Sequence, residues 1–454
     1  MSDMVEEFKL DYSYKYPKVS KDSQIDFNAA IKEGINERGL KLLPEEAINV
    51  YKARIKEEKQ VYKEVGAIDY MLLQKKIIDW AKEQKIYPGY GRGSVSGSLV
   101  AYLMGITEMD SVKHNLNFAR FMSKERISLA DIDVDWPPSR RQEVIDYVAS
   151  LEDELDNFYF SEIITYGTFG YKGAITVMFK EFGLSNDEVK ALTKPIDEKK
   201  EAQFDSLMKK YRSQYPEAMW YAERLVGVMS NVGSHASGFI VSPIDLRTHM
   251  GTVMTSKDSI HPVSAINMKE IDGLNFVKLD ILGLSSIELT NETCEMAGLD
   301  RLTPDTSNAL DMDVWNSMLD TTLSVFQFES ETAESYYRRL FNPDTITTLK
   351  KSIGENLDLM NLFSIGNAAI RPSGNSYRDA LAKGKVVDYG HEALNNFLAP
   401  TASRMIFHEQ IIQFLMDFCG YSGGEADLVR RAIGKKQKEQ LDIYVPQIKE
   451  RFID

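Results

Sequence analysis

At 454 residues, with 43% hydrophobic and 27% charged side chains, the chain is a globular protein too long for one hydrophobic core, so several subdomains are expected. No apolar run reaches the ~18–20 residues of a membrane span. The acidic start (Asp3, Glu6, Glu7) lacks a signal-peptide pattern, and two cysteines, Cys294 and Cys419, form no disulfide framework or zinc spacing, so a cytoplasmic setting is the expectation. The net charge of −14, from 54 basic and 68 acidic side chains, argues against non-specific nucleic-acid binding by the body as a whole, but a local basic channel remains open.

Residues 1–43 are polar, with scattered aromatics and little periodicity. From Pro44, the apolar residues Ala47, Val50, Tyr51, Ile55, Val61 and Tyr62 recur at helical steps. A second helical stretch, about Ala67 to Gln84, carries Met71, Leu72, Ile77, Ile78 and Trp80. Both read as a solvated amphipathic pair. Next comes Tyr87-Pro88-Gly89-Tyr90-Gly91-Arg92-Gly93-Ser94-Val95-Ser96-Gly97-Ser98, followed by the apolar run Leu99 to Leu103. Glycines let a backbone approach an anion, and the N–H groups and hydroxyls of a helix start can bind one. Arg92 adds a fixed charge with a forked donor. The stretch is neither a Walker A loop nor a dinucleotide fingerprint, and a plain turn is the alternative reading.

In Ser128-Leu129-Ala130-Asp131-Ile132-Asp133-Val134-Asp135-Trp136, three aspartates alternate with apolar residues. In a strand, Asp131, Asp133 and Asp135 share one face with Leu129, while Ala130, Ile132, Val134 and Trp136 share the other. Clustered carboxylates raise one another's pKa unless a cation joins them, and hard oxygen donors suit Mg²⁺ or Mn²⁺. Asp311-Met312-Asp313 repeats the spacing, so the pattern alone does not decide. Residues 180–230 are charged and helical, with Lys199-Lys200 and Lys209-Lys210. Val277-Lys278-Leu279-Asp280-Ile281-Leu282 reads as a buried strand with one carboxylate at its surface. Arg430, Arg431, Lys435 and Lys436 follow a glycine-rich turn, which favours phosphate contact over a merely solvated face. The stretch Glu439 to Phe452 has a partly helical apolar pattern that calls for a partner surface.

Taken together, these stretches resemble the bacterial replicative DNA polymerases of the C family, whose member is the DNA polymerase III alpha subunit. The resemblance rests on Gly91-Arg92-Gly93-Ser94 with Gly97-Ser98-Leu99-Val100-Ala101-Tyr102, Asn117-Phe118-Ala119-Arg120-Phe121, Asp131-Ile132-Asp133-Val134-Asp135 and Ile163-Ile164-Thr165-Tyr166-Gly167-Thr168. It continues through His235-Ala236-Ser237-Gly238, Val277 to Leu284, Val325-Phe326-Gln327-Phe328-Glu329-Ser330 and Gly420 to Lys436, all in the family's order. Ala130, Trp136, Ser237 and the loop Ile370-Arg371-Pro372-Ser373-Gly374 depart from the family pattern, and none of them removes a carboxylate.

The resemblance implies a multi-domain α/β fold. Its palm is of the DNA polymerase beta-like nucleotidyltransferase type, with a helical thumb insertion and mostly helical partial fingers. The expected spans are a helical lead-in over 1–85, palm over 86–160 and 236–285, thumb over 161–235 and partial fingers over 286–454. The implied activity is template-directed DNA synthesis with two Mg²⁺ (or Mn²⁺) ions. Asp131, Asp133 and Asp280 would be catalytic metal ligands and Asp135 a helper ligand. Gly91, Arg92, Gly93, Ser94, Arg430, Arg431, Lys435 and Lys436 would bind the nucleotide, and Lys172 and His235 the DNA. Partners would be primer-template DNA, a deoxynucleoside triphosphate and a second polypeptide, because the family's PHP domain and the rest of its fingers find no counterpart here. The rival expectations are a nucleotidyltransferase with another acceptor, and a polymerase-like DNA-binding or replication-partner protein without catalysis.

Overall fold

The computed structural model describes residues 11–13, 15–123, 131–198, 200–255, 260–354 and 357–453. The readings placed on Asp3, Glu6, Glu7, Ser128, Leu129, Ala130 and Lys199 lie outside the described residues. The chain divides into two units, one of Val148–Leu279 with the segment up to Lys18, the other of Val19–Tyr147 and Asp280–Asp454. Six strands occur in chain order: β1 Asp133–Trp136, β2 Tyr159–Thr168, β3 Met229–Ser242, β4 Thr252–Val253, β5 Val263–Asn267 and β6 Val277–Gly283.

The unit built on Val19–Tyr147 and Asp280–Asp454 opens with three helices, α1 Ser23–Glu37, α2 Glu45–Glu64 and α3 Ile68–Glu83. The sequence reading finds no pattern before residue 44, yet α1 forms there and buries a single stripe of Phe27, Ala30, Ile31 and Gly34. A stripe that narrow, flanked by polar residues, carries a weak periodic signal. The expectation of a solvated pair is corrected for α3, which buries Tyr70, Met71, Leu72, Leu73 and Gln74 consecutively, with Ile77, Ile78 and Ala81. Lys75, Lys76, Asp79 and Lys82 keep only part of their surface in solvent, so most of this helix is covered. On α2, the Tyr62 ring lies 5.7 Å from Phe27 and 5.6 Å from Phe118, which fastens this core. The short helix α4, Leu99–Leu103, is wholly buried.

Two further helical cores lie in the same unit. Helices Met312–Asp320, Glu331–Leu340, Pro343–Ile353 and Leu359–Ala369 enclose Trp315, Phe328, Tyr337 and Leu362. Helices His408–Cys419, Gly423–Gly434 and Lys438–Ile453 close around Ile412, Leu415, Tyr421 and Val429. The last helix is therefore partnered rather than bare: Tyr444 and Ile448 pack into that core and the Phe452 ring sits 5.5 Å from Phe414. Ile443, Val445 and part of the Phe452 ring stay exposed.

In the other unit, β2 runs antiparallel to β3 and parallel to β5, and β4 pairs antiparallel with β5. Between β2 and β3 the chain folds four helices, α6 Tyr171–Glu181, α7 Asn186–Thr193, α8 Glu201–Gln214 and α9 Pro216–Leu225, which follow α5, Arg141–Glu154. They bury Ile175, Phe179, Val189, Tyr211 and Met219 in a core of their own. A Ser185–Glu188 capping box starts α7, and Pro216 stands in the first turn of α9.

Candidate active site

The site is built on β1 and β6, which run parallel with Asp133 directly opposite Asp280. All the residues of this pairing belong to one unit. Partners in adjacent strands lie ~4.8 Å apart with side chains on the same face, so the two carboxylates are neighbours although the chain joining them runs through Val148–Leu279 of the other unit. The alternation holds on both strands. Ile132, Val134 and Trp136 are buried while Asp131 is exposed and Asp133 and Asp135 are half-buried. On β6, Leu279 and Ile281 are buried while Asp280 and Leu282 are half-buried. The strand is shorter than expected, because Asp131 precedes the first ladder pair and its place is not fixed by the β1–β6 register. Its neighbour Ile132 is fixed, donating its N–H to the buried Tyr70 hydroxyl at 3.1 Å. Among the described residues, no three His, Cys, Asp or Glu side chains form a metal-holding group. Asp133 and Asp280 form a pair of hard oxygen donors.

The glycine-rich loop meets β1. The Gly89 N–H donates to the Asp135 carbonyl at 2.8 Å. Gly93 has φ +69°, and a Cβ there would stand 3.2 Å from Asp133 Oδ2, so glycine serves both the turn and the close approach to the carboxylate. Arg92 Nη1 donates to Asp135 Oδ1 at 2.8 Å, with the arginine half exposed and the aspartate mostly covered. Gly91, Arg92, Asp133 and Asp135 line one narrow cleft. Ser94 is half-buried and starts a single 3₁₀ turn, Val95–Gly97.

One expectation is corrected here. The N–H groups at the start of α4 are already taken: Leu99 and Val100 donate to the Glu58 carboxylate at 2.9 Å, and Ala101 donates to Ser98 Oγ at 2.9 Å. The anion at this helix start is the protein's own. Gly97 serves packing, because a Cβ there would come 2.6 Å from the Asn117 carbonyl oxygen. Sequence reasoning missed Glu58, whose only local signal is Arg54 four residues earlier, the mark of an ordinary surface pair.

The basic run divides. Arg430 and Arg431 both reach the buried Asp427, at 2.5 and 2.8 Å, whereas Lys435 and Lys436 are exposed beyond the helix end. The helix bearing the arginines packs by its first turn against Ala119, and Arg120 pairs with Glu409. Burial, with the Arg430 and Arg120 charges, holds the His408 imidazole below its ordinary value. Lys172 is exposed in the first turn of α6. His235 lies where β3 bulges against β2, and its Nδ1 accepts the Gly238 N–H at 2.7 Å, so this ring nitrogen shapes the bulge.

Comparison with known proteins completes the description. Residues 26–283 match the family model described as the bacterial DNA polymerase III alpha NTPase domain, and residues 284–454 match that of the bacterial DNA polymerase III alpha subunit finger domain. The chain is 30% identical to the DNA polymerase III subunit alpha of Campylobacter jejuni over 457 residues, covering 96% of this chain and 37% of that protein. It is 31% identical to that of Escherichia coli (strain K12) over 446 residues, covering 90% and 37%. To a Streptococcus pyogenes counterpart it is 28% identical over 456 residues, covering 96% and 41%. The chain thus spans about two-fifths of the length of these relatives. No helix among the described residues is long and apolar enough to cross a membrane. With the two family models together matching residues 26–454 and the aspartate strands in register, the chain belongs to the bacterial DNA polymerase III alpha subunit family.

Proposed function

We propose that this chain carries out the chemical step of template-directed DNA synthesis, moving a deoxynucleotidyl group from a deoxynucleoside triphosphate to a primer 3′-hydroxyl. The observation that carries the reading is the Asp133–Asp280 pair beside a glycine-rich loop. In this reaction the 3′ oxygen bonds to the α-phosphorus, the bond to the bridging oxygen breaks, pyrophosphate leaves and the hydroxyl proton is lost. Little covalent work falls to side chains, so positioning and charge neutralisation dominate.

Asp133 and Asp280 are hard oxygen donors that would hold two Mg²⁺ or Mn²⁺ ions if Asp131 joined them as the third carboxylate. When bound, such a pair neutralises charge on the attacking and leaving oxygens. The chain's own residues do the rest. Gly93, having no side chain, leaves room beside the Asp133 carboxylate for a cation and the phosphate it would neutralise. Arg92 supplies a forked donor to the triphosphate, and Asp135 orients it, a role the ion pair favours over direct metal binding. Lys435 and Lys436 supply further charge, with Arg430 and Arg431 braced by Asp427. Residues 86–160 and 236–285 then act as palm, 1–85 as its helical lead-in, 161–235 as a thumb bearing Lys172, with His235 at its return to the palm, and 286–454 as fingers. Residues 1–454 extend a primer weakly alone and strongly when the regions that the relatives carry beyond the matched span are supplied in a second polypeptide.

The test is primer extension with defined templates. Incorporation that follows the template base, lost in Asp133→Asn, supports the reading. Template-independent addition would point to a nucleotidyltransferase with another acceptor, and DNA binding without incorporation to a non-catalytic relative.

A further inference from the structure

Glu58 lies on α2, outside every motif above, yet its side chain is 0% exposed. Oε1 accepts from Arg54 Nε at 2.7 Å and from the Leu99 N–H at 2.9 Å. Oε2 accepts from Ser98 Oγ at 2.7 Å and the Val100 N–H at 2.9 Å. Ser98 Oγ also meets the Tyr62 hydroxyl at 2.7 Å. The same Arg54 donates through Nη2 to the carbonyls of Gly97 at 2.7 Å and Leu116 at 2.9 Å. Burial pushes the Glu58 carboxyl up, and the Arg54 charge with the three donors from Ser98, Leu99 and Val100 opposes that push. A charge this deep is costly unless it is paired and hydrogen-bonded, and breaking such a pair on one side is costlier still.

The network grips only one half of the glycine-rich loop. Gly97, Ser98 and the α4 start are fixed to α2, while Arg92 and Gly93, a few residues earlier, stand against Asp135 and Asp133. Taking the proposed function as given, we propose that Glu58, with Arg54, is a positioning residue for the nucleotide. It satisfies the N–H groups of the buried α4 start from within the protein, which leaves Arg92–Ser94 as the part of the loop that meets the triphosphate. It also anchors the far end of the loop, so that Gly93 keeps its approach to Asp133.

Two measurements on the full chain separate the possibilities. One is hydrogen exchange over residues 89–101. The other is titration with a fluorescent deoxynucleoside triphosphate in Mg²⁺, which gives affinity and binding stoichiometry independently. Glu58→Gln keeps the shape but cannot accept both bonds on its amide side. It should speed exchange at Leu99 and Val100 and weaken nucleotide affinity about tenfold, the scale of one lost charge-assisted bond, with stoichiometry unchanged. Arg54→Lys, which cannot span Gly97 and Leu116, should give a smaller loss of the same kind. A purely structural role would instead lower stoichiometry and melting temperature at unchanged affinity, and that result would overturn the proposal. If Glu58→Gln fails to fold, Arg54→Lys decides by the same two readouts. If the wild type binds no nucleotide, the proposed function fails. The exchange data then still judge the anchoring, and unaltered exchange in both variants would refute it.

Discussion

Asp133 and Asp311 each take part in an Asp-x-Asp, and the backbone around them gives the two carboxylates different work. Asp311 caps the helix Met312–Asp320 by accepting the Asp313 N–H, a local duty. Asp133 stands in a strand directly opposite Asp280. The alternation that exposes Asp133 was legible in the sequence, because a period of two needs no tertiary information. Its pairing with Asp280 was legible only through the resemblance, since register between distant strands leaves no local mark. The Arg92–Asp135 bond was not legible at all, and it changes what each residue should do. Asp135→Asn should raise the Michaelis constant for the nucleotide several-fold, as Arg92→Ala should too, while leaving kcat within a small factor. A steep loss of kcat in steady-state extension would instead return Asp135 to the metal ligands. His408 gives a pH prediction. Its proton is bound less readily in the folded chain than in the unfolded one, where the pKa is about 6.5. Stability is therefore full above about 6.5 and declines as pH falls below it, with Glu409 and Asp427 tempering the decline. Thermal melting of wild type between about pH 7 and 5.5 should show this decline, and His408→Gln should flatten it.

At the scale of elements, helices with strong amphipathic period were found where the sequence put them, α2 at Glu45–Glu64 and α3 at Ile68–Glu83. What the period could not tell was how much of each helix is covered, because burial on every face comes from neighbours. The glycine-rich loop shows the same limit. Gly93 and Gly97 look alike in sequence, yet one approaches a carboxylate and the other a backbone carbonyl. Gly97→Ala should therefore destabilise the chain by about 1–3 kcal/mol through overpacking against Asn117, read as a lower melting temperature. Gly434→Ala, with nothing within 4 Å of the added methyl at the end of an α-helix, should be neutral or stabilising by up to about 1 kcal/mol. Equal effects at the two positions would mean that the close contact at Gly97 relaxes without cost.

For the whole molecule, the charge of −14 set an expectation against bulk nucleic-acid binding, and local structure qualifies it. Acidic groups are spent on internal work, Glu58 at a helix start, Asp427 between two arginines and Glu108 among Arg38, Lys82 and Arg301. Lys435 and Lys436 are exposed. The central claim is that Asp133 and Asp280, paired in register, form the centre of a templated nucleotidyl transfer. The most direct measurement is Mg²⁺-dependent primer extension by residues 1–454 supplemented with the remaining regions of a relative, alongside a DNA-binding assay for each variant. The account predicts template-matched extension by the wild type, and loss of extension by at least about 100-fold in Asp133→Asn and Asp280→Asn with DNA affinity retained. Wild-type extension by Asp280→Asn, or no extension by the supplemented wild type, would contradict it.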